Sequence, residues 1–202
     1  MTEDHPEPEA NDGVSEAPST IYAFWPDRDA PLEEEIRLAI DRQFPGMSVI
    51  EELDSEGEMI WGHVLRLPEH DSEFVVWVEE RGPMPDEIIQ DAVPDEDERQ
   101  AAIGSRWLVG VETILDPRRA LGDFQTQLRV LDAAAIPGLP AVYDDNALVV
   151  RSGRHIRELA RSHVPPRPAT LYAIHEMEGR SGIWLHTTGC RGSACPRSNC
   201  SG

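Results

Sequence analysis

The feature that most constrains this chain is that its strand signals arrive in runs rather than singly. Met47–Leu53, Met59–Leu67 and Glu73–Glu80 follow one another, the last two joined by a short polar turn at Pro68–Ser72. Runs of strands with helices between them argue for an α+β fold. The expected architecture is two small lobes of mostly antiparallel strands with helices packed on one face. The first lobe, 20–81, opens on the β-rich run Thr20–Trp25, closed by Pro26. A helix should follow, with Asp29 as N-cap, Pro31 in its first turn and Glu33, Glu34 and Glu35 near the positive end of its dipole. Leu32, Ile36, Ala39 and Ile40 fall on one face at helical spacing, and Pro45-Gly46 stops the helix. The lobe therefore reads β-α-β-β-β.

Residues 82–100 form an acidic, proline-rich connector with one short helical segment around Asp86–Asp91. The second lobe, 101–188, begins with a short helix spanning about Asp95–Ser105 and a strand at Trp107–Leu115. Asp116-Pro117 should cap a long helix to Ala135, with Leu121, Phe124, Leu128 and Leu131 as its apolar stripe. Short strands at Ala141–Tyr143 and Ala147–Val150 flank an Asp144-Asp145-Asn146 turn. Ser152 caps a further helix through Arg161, and Pro165–Pro168 forms an extended spacer. The lobe ends in a hairpin, Ala169–Met177 and Ile183–Thr188, around Gly179–Gly182.

Charge limits the partners. Thirty-eight acidic against eighteen basic residues give a net charge of -20. Such a surface repels nucleic acid and anionic membranes, so neither is an expected partner, whereas a basic protein is. Residues 1–19 carry six acidic and no basic side chains and read as a disordered acidic leader. The N-terminus lacks the basic and apolar regions of a signal peptide, and no apolar run approaches the ~20 residues of a membrane span. The expected location is cytoplasmic.

The last residues read as a changed reading frame. Cys190, Cys195 and Cys200, the three cysteines of the chain, all fall after residue 189. Read one base earlier, each cysteine codon supplies the end of a leucine codon, and Thr188–Gly202 reads back as H-G-L-P-R-L-G-L-P-A-L-E-L-L-G. The segment 189–202 is therefore expected to be a disordered, frameshifted tail on a truncated protein. The cysteine spacing fits neither a zinc ribbon nor a disulfide framework.

Two groups of residues carry the candidate chemistry. A hairpin turn centred on Arg180-Ser181 pairs His175 with His186 on one face of the sheet, where they could bind a divalent transition metal. The restored frame adds a third histidine at 188. The structural alternative is that these histidines cap the sheet face. Arg151, Arg154 and Arg157, with Arg161, recur along the helix after Ser152 and could bind an anion at its N-terminus, or pair with the protein's own carboxylates. The tryptophans Trp25, Trp61, Trp77, Trp107 and Trp184 all lie in predicted strands, where core packing explains them. His63 reads as a half-buried, satisfied histidine. No phosphate loop, nucleophile elbow or H-E-x-x-H motif is present.

Leu171-Tyr-Ala-Ile-His-Glu followed by Ile183-Trp-Leu-His-Thr resembles a bacterial family of domains of unknown function (DUF 4026-like) with a W-L-H-T-H-G-L signature. The match covers Trp184, Leu185, His186 and Thr187 and fails at Thr188, where the frame changes. The resemblance implies a longer protein and brings no reaction with it. The function expected from the sequence is a binding or interaction module with no catalysis and no cofactor. The alternatives are a metal-binding protein or metal-dependent enzyme using His175 and His186, and an acidic inhibitor or immunity-type protein.

Overall fold

The computed structural model describes residues 18–189 except Glu56, Glu69, Asp71, Pro137, Arg180 and Ser181. Within 172–189, side chains are described at Ala173 and Thr188 alone. Most of the expected acidic leader and the tail bearing Cys190, Cys195 and Cys200 lie outside the described residues.

The elements are β1 (Ser19–Trp25), α1 (Glu33–Gln43), β2 (Ser48–Leu53), β3 (Met59–Arg66), β4 (Glu73–Glu80), α2 (Asp86–Ala92), α3 (Glu96–Ile103), β5 (Trp107–Thr113) and α4 (Ala120–Ala134). They continue with β6 (Ala141–Asp144), β7 (Val149–Ser152), α5 (Gly153–Arg161), a 3-10 turn at Pro168–Leu171, β8 (Tyr172–Gly179) and β9 (Gly182–Gly189). The fold is α+β. Seven strands form one antiparallel sheet in the order β2-β3-β4-β5-β1-β6-β7, and β8 and β9 form a separate hairpin. Because β1 lies between β5 and β6, strands from 20–81 and from 101–188 interleave in the same sheet, and the 82–100 segment does not divide two sheets. Among the described residues, no helix is long and apolar enough to cross a membrane.

Alternation along the strands sends Ile21, Ala23, Val76, Val78, Val109 and Val111 to one face, where α1, α4 and α5 cover them. Phe124, Leu128 and Leu131 of α4 are buried there, and the face is wide enough to take Gln127 as well. Buried amides need partners, and Gln127 finds them by bonding Ser19 O at 2.7 Å and Val111 O at 2.9 Å. It thereby ties α4 to two neighbouring strands. His63 is buried on this face, with Nε2 3.0 Å from Glu33 Oε1 of α1 and Nδ1 without a partner.

Four helix starts show where capping operates. Ser152 does cap α5, accepting from His155 N–H, and Asp95 caps α3 by accepting from Glu98 N–H. Asp29 does not cap α1, which begins later, after Leu32 in an extended conformation. Leu32 thus precedes the helix, leaves the stripe of Ile36, Ala39 and Ile40, and is 62% exposed. Asp116 caps a turn instead of α4, accepting from Arg118 N–H at 2.8 Å, and α4 starts four residues beyond it.

Among the described residues, helices cover the opposite face of the sheet at one end. There α2 and α3, formed from the acidic connector, pack Ile89, Val93 and Ala102 on Phe24, Leu108, Ala141 and Val150. Arg81 seals this layer: its guanidinium bonds Ala102 O and Ile103 O at the C-terminal end of α3 and lies 5.3 Å from the Phe24 ring centre. A cation at the negative end of a helix dipole is favourably placed. Among the described residues no helix packs on the rest of this face.

Candidate functional site

On the α2–α3 side of the sheet, one cross-strand row runs from the edge of that helical layer towards β3. Register places Gly62, Trp77, Gly110, Tyr22, Tyr143 and Val150 side by side on β3, β4, β5, β1, β6 and β7. The same alternation that buries Ile21 and Ala23 turns Tyr22 outward between them, and Trp77 stands likewise between buried Val76 and Val78. Gly110 separates the two aromatic residues for a steric reason. A Cβ there would overlap the Trp77 indole, so the ring lies across β5 where only a glycine leaves room. Trp77 then meets Tyr22 at a centroid distance of 5.5 Å and an interplanar angle of 87°. Tyr143 lies beyond Tyr22 at 6.3 Å and 24°. Tyr22, Trp77 and Tyr143 are all half-buried.

Carboxylates flank this row. Glu79, two residues along β4, accepts the Trp77 indole N–H at Oε2 (2.6 Å), and its Oε1 has no hydrogen bond among the described residues. Glu112, two residues along β5, accepts the Thr20 hydroxyl at 2.9 Å. Asp145 is fixed by the β6–β7 turn, which is locked to the start of β1: Asn146 accepts Thr20 N–H at 2.7 Å and donates to Pro18 O at 3.0 Å. In the same turn Leu148 takes a φ of +55°, a conformation uncommon for its type, so the turn is held by these bonds rather than by preference.

The electrostatics follow from this placement. Burial, then the charges of Glu79, Asp145 and Glu112, push the Tyr22 phenol above its usual range. Burial raises the Glu79 carboxyl, with the charges of Glu58 and Asp145 adding to it and the Trp77 hydrogen bond opposing. Burial and Asp145 raise Tyr143 in the same sense. Burial is the main cause of all three shifts, and neighbouring carboxylates add to each of them. Among the described residues no arginine forms an ion pair with Glu79, Glu112 or Asp145, while Glu73, Glu80 and Glu98 each have one. An aromatic floor with uncompensated carboxylates is suited to a cation.

The arginines of β7 and α5 have a different environment. Arg151 donates to Thr170 O at 3.0 Å and approaches Asp144, a carboxyl raised mainly by burial, at 3.9 Å. Arg157 donates to Leu139 O (2.8 Å) and Glu98 (2.7 Å), joining α5 to α3. Arg154 is 74% exposed and lies 4.0 Å from Glu158. The structure therefore does not gather Arg151, Arg154 and Arg157 around one point, and two of the three are engaged by the protein's own oxygens. A cleft of about 370 Å³ between α1, α4 and α5 is lined by Gln43, Arg129, Asp132, Ala160 and Arg161. Apart from Ala160 its walls are polar, unlike the mainly apolar lining of small-molecule sites, and Arg161 is bonded across it to Asp132.

The β8–β9 register pairs His175 with His186, as the symmetric turn requires, and Met177 with Trp184. The two imidazoles lie outside the described side chains. Among the described residues no group of three His, Cys, Asp or Glu side chains could hold a metal.

Core packing holds for Trp25, Trp61 and Trp107, whereas Trp77 is half-buried beside Tyr22 and Glu79, a grouping that the tryptophans' strand positions alone did not indicate. The available signal was Gly110 inside the apolar run of β5, since an interior strand glycine marks the close approach of another group. No family model, curated protein or solved structure matches the chain.

Proposed function

We propose that the protein is a non-catalytic binding module that receives a basic protein partner on the face of its sheet beside α2 and α3. The observation that carries this reading is the row of Trp77, Tyr22 and Tyr143 flanked by the uncompensated carboxylates of Glu79, Glu112 and Asp145. The net charge of -20 supports it by attracting a basic partner over distance, while the aromatic floor supplies contact area once the partner arrives. The reading is closest to an acidic inhibitor, and its cytoplasmic setting belongs to the same proposal. So does membership of the family with the W-L-H-T-H-G-L signature, supported by Trp184–Thr187 in β9.

A short peptide rich in lysine and arginine is the probe. It should bind with an affinity that falls as salt rises, and the paired change Glu79→Gln and Glu112→Gln should weaken it about ten-fold or more. Binding that the paired change leaves intact would refute this face as the site.

The register of β8 and β9 favours a second reading, metal binding at His175 and His186. In a zinc titration the chain should bind weakly, Thr188→His should tighten binding, and His186→Ala in that background should remove the gain. Identical titrations in all three proteins would reject it.

A further inference from the structure

The carboxylate-flanked row has a more specific geometry than general attraction to basic surfaces requires. Trp77 and Tyr22 meet at 87°, so their rings form a corner rather than a stack. Glu79 stands at one end of that corner with Oε2 taken by the indole N–H and Oε1 without a hydrogen bond among the described residues. Gly110 holds the corner open, because any side chain there would drive the indole away.

We propose that this corner is a seat for one arginine side chain of the partner, its guanidinium resting on the Trp77 and Tyr22 rings and donating to Glu79. The inference rests on the reading of this face as the docking surface. Three features select a guanidinium over other cations. It is planar, so it can lie against a ring while its edge still presents N–H donors to a carboxylate. It is weakly hydrated, so leaving water for a half-buried floor costs it less than it costs an ammonium. Glu79 Oε1 can accept a further hydrogen bond, which a quaternary ammonium has no N–H to supply. Glu112 and Asp145 do not have to touch the guanidinium. Their charges already act on Tyr22 and add to the field that draws a cation to this position.

The test compares N-acetyl-arginine methylamide with its lysine counterpart, following the Trp77 indole N–H signal in the intact chain by NMR. Arginine should shift that signal saturably and bind about ten-fold more tightly than lysine. Glu79→Gln and Tyr22→Leu should each bring the arginine affinity down to the lysine level, with the circular dichroism of both variants matching the parent. Equal affinities for the two compounds, or an arginine preference that survives Tyr22→Leu, would overturn the seat. The lysine- and arginine-rich peptide distinguishes this from the broader reading. If it binds through Glu79 and Glu112 while arginine and lysine remain equivalent, the docking face stands and the seat falls. If it does not bind there, both fall.

Discussion

The carboxyl group of Glu79 is the residue on which site and stability meet. Burial raises it above its ordinary value, so the folded chain takes up its proton at a higher pH than the unfolded chain does. The penalty for keeping it charged is therefore present at neutral pH and disappears as the pH falls through the raised value. Glu79→Gln, which keeps the shape and an acceptor for the Trp77 indole, should raise the melting temperature at about pH 7 and lose that gain towards about pH 4. An advantage that grows on acidification would mean that Glu79 is stabilised as an anion, and would remove the case for an unmet cation. At this scale the sequence was uneven in what it disclosed. Ser152 was legible because capping is a local pattern. Glu79 was not, because its environment is made by Trp77 beside it and by Tyr22 on a strand two places away in the sheet.

Among the elements, α4 carries the largest share of the interior. Its apolar stripe could be read from helical spacing, and Phe124, Leu128 and Leu131 are buried where that spacing put them. Leu128→Ala should destabilise the fold by about 2–5 kcal/mol, measured by chemical unfolding, because the wall around it cannot fully collapse. A loss under about half a kcal/mol would place the helix off the core. What spacing did not show was the width of the buried face, since Gln127, Thr126 and Asp123 are also buried. Polar residues enter such a face only when a bond satisfies them: Gln127 bridges to Ser19 and Val111, and Asp123 accepts Asp116 N–H at 3.0 Å. The hairpin register was legible for the opposite reason. A symmetric glycine turn sets the pairing of His175 with His186 without help from the rest of the chain. The α1 start was misplaced because Asp29 and Pro31 are good start signals that the chain passes before turning helical at Glu33.

In the whole molecule, topology makes the site. Inserting β1 between β5 and β6 brings Tyr22 beside Tyr143 and, across Gly110, beside Trp77, three residues drawn from well-separated parts of the chain. Sequence order gives no warning of such an insertion, so a run of strands 20–81 and a later set 101–188 read as separate lobes. Helices α1, α4 and α5 then pack on one face and α2 and α3 on one end of the other, and aromatic rings and carboxylates coincide beside that end. The most direct test of this account is to map where a lysine- and arginine-rich peptide binds, by NMR titration of the full chain at moderate salt. The largest shifts should cluster at Tyr22, Trp77, Glu79, Gly110, Glu112 and Tyr143. Shifts spread evenly over exposed acidic segments such as Glu33–Glu35 and Glu96–Asp97, with none concentrated on that row, would contradict it.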